Sequence, residues 1–237
     1  MNWWNMRRIG GISALLQGGS YILFLLLVLV LLPLQGGIHV ADYLDPASLL
    51  GKAAAYPQTV SSLVVLSLLY IGFGVFPFLM LLALVQTIPQ ATRNERLLVV
   101  GFVLINTTLS LAAAAINSGS LPSYVQLYQQ HVQEAVTGYR VVGDIYLQLG
   151  NAAAAAYGMA TIVLGVAALR GNALPRSFAW LSLVWGAIAI LSWPFILIGA
   201  IGPIVGIIWS LWVGLLLWRI PSSAVSLPSK RNPEAAS

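Results

Sequence analysis

Asp144 stands near the front of the stretch VVGDIYLQLGNAAAAAYGMATIVLGVAALRGN, Val141 to Asn172, which is otherwise almost wholly apolar. An ionisable group inside a membrane helix marks an ion path, a proton relay or a ligand's counter-charge. An acid at the first turn of such a helix has a plainer role, complementing the helix dipole. Gln148 and Asn151 follow one and two turns later, and Asn117 precedes them in the same outer segment. These four side chains form a candidate vestibule. A second group is neutral and deeper: Gln17, Tyr21, Tyr70, Asn106 and Thr107 fall near the middle of apolar stretches. An unpaired amide there is costly. Such groups either hydrogen-bond across helices or line a small-molecule cavity.

Other chemistries lack their parts. With no cysteine in the chain, disulfides and thiolate metal sites are excluded. The two histidines, His39 and His131, lie far apart in outer loops and in no H-E-x-x-H pattern. They have a bland surface reading and a sharper one, a shared metal or a haem. There is no G-x-S-x-G elbow, and Ser118-Gly-Ser120 reads as a loop. No ionisable group falls near the middle of any apolar stretch, where pumps and voltage sensors place theirs. The chain is therefore read as a non-enzyme, with no cofactor and no metal.

The elements that must hold these residues follow from composition. Charged residues make up 7% of 237, against 59% hydrophobic, whereas a soluble domain carries about 25% charge. So little charge cannot coat a globule, and the expected solvent is lipid. A bilayer core needs roughly 20 apolar residues per helix. Six stretches qualify or nearly so: Ile9–Leu34, Val60–Ile88, Leu97–Ile116, Gly143–Leu169, Phe178–Ile198 and Gly202–Trp218. The first is too long for a signal peptide and lacks a cleavage site, so it is read as a retained span. The expected fold is all-α: a polytopic membrane bundle of six transmembrane helices in one domain, 1–219, followed by a disordered cytoplasmic tail, 220–237.

Charge sets the orientation. Arg7, Arg8, Arg93, Arg96, Arg170, Arg176, Arg219, Lys230 and Arg231 fall on one side of a six-span layout, and only Lys52 and Arg140 on the other. This is the positive-inside pattern and predicts both termini cytoplasmic. Trp3, Trp4, Trp180 and Trp218 at the inner boundary and Trp193 at the outer one suit an aromatic belt. No dense basic patch suggests nucleic acid.

Two outer loops carry local signals. Asp45-Pro46 predicts a short helix, about Pro46 to Ala55. Val125, Tyr128, Val132, Val136 and Tyr139 recur at helical spacing and predict a longer amphipathic cap helix docked on the bundle beside Asp45–Tyr56. Thr92-Arg-Asn-Glu95 is a capping-box pattern. Gly202 and Gly206, and the Gly150, Ala154, Gly158 stripe, allow close helix approach. Pro77 and Pro194 predict kinks.

The order of RRIGGISALLQGGSYIL, YLDPASLL, LYQQHVQEA, ALPRSFAWLSLVWGAIAILSWP and GPIVGIIWSLWVGLLLWR resembles the bacterial membrane family numbered 4386 among the domains of unknown function. The resemblance implies a multi-pass protein of the bacterial inner membrane and carries no activity and no site residues. Two functions are expected. The first is a non-enzymatic subunit, scaffold or regulator whose partners are the lipid bilayer, other membrane subunits or a second copy. The alternative is a binder or facilitator-type transporter of an unidentified small molecule, with an outward vestibule. Spans one to three and four to six show no inverted repeat of the kind transporters carry. A dry interior favours the first; a polar pocket reached by water favours the second.

Overall fold

This computed structural model describes residues 3–171, 174–192 and 196–219, with side chains at 6–171, 174–192 and 201–219. The roles expected of the Trp3 and Trp4 side chains, Trp193, Pro194, Lys230, Arg231 and the tail lie outside those residues. The described chain is all helix, with no strand among its residues. Helix α1 (Trp3–Leu26) passes through a π turn (Leu27–Leu31) into α2 (Leu32–Gly36). The wide turn has a local reason. Pro33 has no N–H and its ring crowds the carbonyl four residues back. The Leu32 N–H accordingly reaches the Leu27 carbonyl, five residues back. Gly37, at φ 62°, ends α2 in the left-handed region, and its N–H bonds the Pro33 carbonyl at 2.9 Å. A 3-10 turn (Val40–Leu44) then leads to α3 (Pro46–Ala55), α4 (Gln58–Gln86), α5 (Arg93–Gln130), α6 (Val132–Gly171), α7 (Arg176–Leu191) and α8 (Ile196–Arg219).

Six of these helices close a ring. α1 packs on α4, α4 on α5, α5 on α6, α6 on α7, α7 on α8, and α8 returns to α1. Gly10, near the start of α1, faces Ala83 near the end of α4 and Leu217 near the end of α8. The Arg7 Nη2 donates to the Leu217 carbonyl at 2.9 Å. The start of α1 and the end of α8 therefore meet at one end of the ring, with the α4–α5 and α6–α7 connections. We call this the arginine end. There, Thr92 and Glu95 form the expected capping box, and Glu95 pairs with Arg170. Trp180 and Trp218 are exposed.

Small residues set the helix spacing. A Cβ on Gly158 would lie 2.6 Å from the Gly186 carbonyl oxygen of α7, and one on Gly74 would lie 3.2 Å from the Thr107 backbone of α5. The outward faces are apolar: Ile12, Leu29, Leu104, Ile204 and Leu215 are all exposed. Among the described residues five helices are long and apolar enough to cross a membrane, and α7 is a shorter apolar helix of 16 residues.

The expected cap helix is not a single helix. α5 runs on to Gln130, His131 leaves the helical region at φ −139° and ψ 78°, and α6 starts at Val132. The apolar stripe is thus divided between two arms of a helical hairpin. Both arms need an apolar face, so the periodicity carries through the reversal. No glycine or proline marks it. Val125 and Tyr139 are buried as the stripe requires, but Val132, at the tip, is 51% exposed. Ser118-Gly-Ser120 is helix rather than loop. The two hydroxyls fold back onto the carbonyls of Ala114 and Ile116, which keeps them out of competition with the helix. At 40 residues α6 is about 60 Å long, roughly twice a bilayer's hydrocarbon thickness. The hairpin extends the bundle at the end opposite the arginines.

Candidate functional site at the hairpin end

α3 lies against the hairpin arms, packing on both α5 and α6. Gly51 admits the Tyr128 ring, whose hydroxyl would be 3.1 Å from a Cβ there. What holds α3 in place is Asp42. Its carboxylate accepts from Lys52 Nζ at 2.8 Å, from Ser48 Oγ at 2.5 Å and from the His39 N–H at 2.6 Å. Lys52 also donates to the Gly37 carbonyl at 2.8 Å, fastening the end of α2 to α3. Desolvation by itself would raise the Asp42 pKa; the hydrogen bonds from Lys52, Ser48 and the His39 backbone outweigh it and hold it at about 2. The sequence counts Lys52 only as an outer-side charge and singles out neither Asp42 nor Lys52 as a site residue. Their signal was the presence of a single lysine on the side otherwise poor in cations.

Beneath this cover is a cavity of about 250 Å³. Tyr43, Pro46 and Leu49 close it from the 3-10 turn and α3, and Leu63 and Leu66 from α4. Asn117 and Leu121 of α5 and Tyr139, Arg140, Gly143, Asp144, Tyr146 and Leu147 of α6 complete it. Asp144 lines it and is exposed, so it is a rim acid rather than a buried one. Arg140, one turn earlier, also lines the rim. Gly143 lies between them. A Cβ there would meet only the edge of the Tyr139 ring, at 3.9 Å. The missing side chain therefore helps to make the space.

Of the expected vestibule residues, Asp144 and Asn117 are brought to the cavity, and Gln148 and Asn151 are not. Gln148 is exposed on α6, and Asn151 lies deeper along it, past a floor made by Tyr146 with Tyr70 packed behind. Tyr70 of α4 lies against Gly150, its Cε1 2.8 Å from where a Cβ would be, and its ring meets Tyr146 at 5.1 Å. These two rings separate the cavity from the next turns of α6. Asn117 is buried and fully engaged: it accepts from Tyr139 Oη at 3.0 Å and donates to Ser67 Oγ at 2.7 Å. It builds the wall. The Tyr43 hydroxyl, by contrast, is enclosed and has no hydrogen-bond partner. Burial raises the Tyr43 pKa, so the phenol stays a donor at neutral pH. Tyr43 had not been picked out in the sequence.

Below the floor the deeper polar residues separate into two sets. The Asn106 Nδ2 donates to the Phe73 carbonyl at 3.1 Å, and Thr107 Oγ1 to the Gly74 carbonyl at 3.0 Å. Both are bonds across helices, where the glycine lets α4 and α5 touch. Gln17 is wholly buried, and neither amide atom makes a hydrogen bond of good geometry. Tyr21, one turn on, is within its reach. The Tyr157 hydroxyl, the Trp185 N–H and the Ser210 hydroxyl are likewise enclosed without such a bond. Ring contacts run from Tyr146 through Tyr70, Phe73, Tyr21, Trp185 and Tyr157 to Trp209, with centroids 4.9–6.1 Å apart. His39 and His131 are exposed, and no metal-binding group of three or more acids or histidines occurs among the described residues.

Comparison with known proteins finds no matching family model, no matching curated protein and no matching solved structure.

Proposed function

We propose that this is a multi-pass membrane protein with six crossings and its arginine end in the cytoplasm, which binds a small amphiphilic molecule in the hairpin-end cavity. The cavity is the observation that carries the reading. It is partly polar and open at its rim, and it sits where ligand sites of helical bundles form, between helices. A scaffold acting only through its faces has no need of it. Counting about 20 residues at 1.5 Å each from Arg170 reaches Gly150. The hydrocarbon then ends near the tyrosine floor, and the cavity lies just beyond it, within reach of molecules arriving from water or from the interface.

Six crossings are supported by the contact between the start of α1 and the end of α8. An even number of passes returns the chain to the side where it began. The 16 residues of α7 make about 24 Å of helix. The arginines gathered at one end give the orientation. The resemblance to the 4386 family supports a bacterial inner membrane.

Gly143→Phe tests the binding reading, because it fills the cavity without meeting backbone. Purified protein in lipid nanodiscs is expected to melt higher with a bound amphiphile, and the Gly143→Phe variant to lose that response while folding normally. An amphiphile response equal in both proteins would place binding elsewhere. For topology, single cysteines at Gln129 and Ser177 are treated with an impermeant thiol reagent on intact cells. Labelling at Gln129 alone is expected; labelling at Ser177 alone would invert the orientation.

A further inference from the structure

The cavity lining narrows the chemistry of the ligand, and this inference rests on the binding reading above. One wall is leucine, from Leu49, Leu63, Leu66 and Leu121. The rim carries two opposite charges on successive turns of α6, Arg140 and Asp144. Both are exposed, and neither makes an ion pair among the described residues. Their order, cation before acid, is the less favourable one for pairing along a helix. Tyr43 contributes its ring to the lining.

A ligand with a single charge suits this rim poorly. A simple amine drawn to Asp144 would face Arg140, and a simple carboxylate drawn to Arg140 would face Asp144; like charges set against each other are penalised. A molecule carrying both charges satisfies both side chains at once. The guanidinium fork matches carboxylate or phosphate oxygens. An ammonium suits a carboxylate beside tyrosine ring faces. We propose that the cavity takes a zwitterionic amphiphile, with its anionic oxygens toward Arg140, its ammonium toward Asp144 and its apolar part among the leucines. Two sources share this chemistry: a free amino acid with an apolar side chain, and the headgroup end of an ethanolamine phospholipid.

The test uses the full-length protein in nanodiscs of phosphatidylglycerol, which lack zwitterionic lipid. Four probes are added separately: L-leucine, a short-chain phosphatidylethanolamine, octylamine and the uncharged octanol. Melting temperature gives the apparent affinity of each. At least one zwitterion is expected to stabilise the protein, with affinity falling tenfold or more in Arg140→Gln and in Asp144→Asn and vanishing in Gly143→Phe. Leucine acting alone names a free amino acid, and the phospholipid acting alone names a lipid. Octylamine binding undiminished by Arg140→Gln would overturn the zwitterion. Octanol binding that is lost in Gly143→Phe but untouched by either charge variant would overturn it too, leaving a cavity for neutral amphiphiles. If no probe gives a response sensitive to Gly143→Phe, both this inference and the binding reading fall.

Discussion

At the arginine end the buried core draws on all six ring helices: Ala14, Leu84, Val99, Leu164, Phe178 and Trp209 belong to one cluster. The buried core at the hairpin end is built from Leu27, Leu50, Leu66, Leu121, Tyr139 and their neighbours, and among the described residues takes none from α7 or α8. The difference follows from helix length. α5 and α6 have 38 and 40 residues, against 16 and 24 in α7 and α8. Two long helices outrun the ring, and the ten-residue α3 and its 3-10 turn cover them. A closed ring packs to touching backbones, whereas a hairpin under a short cover leaves a space. The tight region fixes the architecture, and the open one holds the candidate site.

The sharpest way to break this comparison is to add bulk to each region. Gly158→Leu puts a side chain against the Gly186 carbonyl and must separate α6 from α7. Overpacking typically costs about 1–3 kcal/mol and more where backbone must move, so a large drop in melting temperature or loss of folded protein is expected. Gly143→Phe should leave the melting temperature unchanged or higher. Equal losses from the two would mean that the hairpin end is packed as tightly as the ring.

Asn117→Leu comes next. It strands the Tyr139 hydroxyl, while Ser67 keeps its bond to the Leu63 carbonyl, and a buried group left without its partner costs about 1–3 kcal/mol. Chemical or thermal unfolding should register the loss, and hydrogen exchange should localise it to the hairpin.

The two deep amides give a smaller and more discriminating contrast. Asn106→Leu removes a bond across helices of a kind that averages about 0.6 kcal/mol in a membrane bundle, and a modest fall in stability is expected. Gln17 lacks a good bond to lose, so Gln17→Leu should be neutral or stabilising. A fall matching that of Asn106→Leu would show that the Gln17 amide is satisfied after all.

The smallest effect is local and depends on pH. Asp42 titrates at about 2 when folded, against an ordinary 3.8. A carboxylate with a lowered pKa contributes stability above its unfolded value, and that contribution is lost as pH falls through the folded one. Between pH 4 and 2 the protection of amides in 38–55, measured against their intrinsic exchange rates at each pH, should fall. In Asp42→Asn it should already be low at pH 7, with little further change on acidification.

Much of the architecture was legible because it rests on composition and local chemistry. Too little charge to face water, apolar runs of helical length, the Asp45-Pro46 start of α3 and the Thr92–Glu95 cap are all properties of neighbouring residues, as is the gathering of arginines into alternate connections. The hairpin was not legible. A reversal taking one residue at His131, without glycine or proline, leaves the apolar period intact, and a single stripe reads as a single helix. The site was half legible. Asp144 and Asn117 announced themselves as polar residues at the edge of an apolar run. Their different roles, rim charge and wall bond, came from Tyr139 and Ser67, which are distant in sequence. Gln148 stays exposed, and Asn151 lies past Tyr70, which crosses from α4 to fill the space over Gly150. Periodicity reports which face of a helix is apolar. Only the packing of other helices against that face decides which of its polar residues reach a shared space, because that depends on side chains the helix does not itself carry.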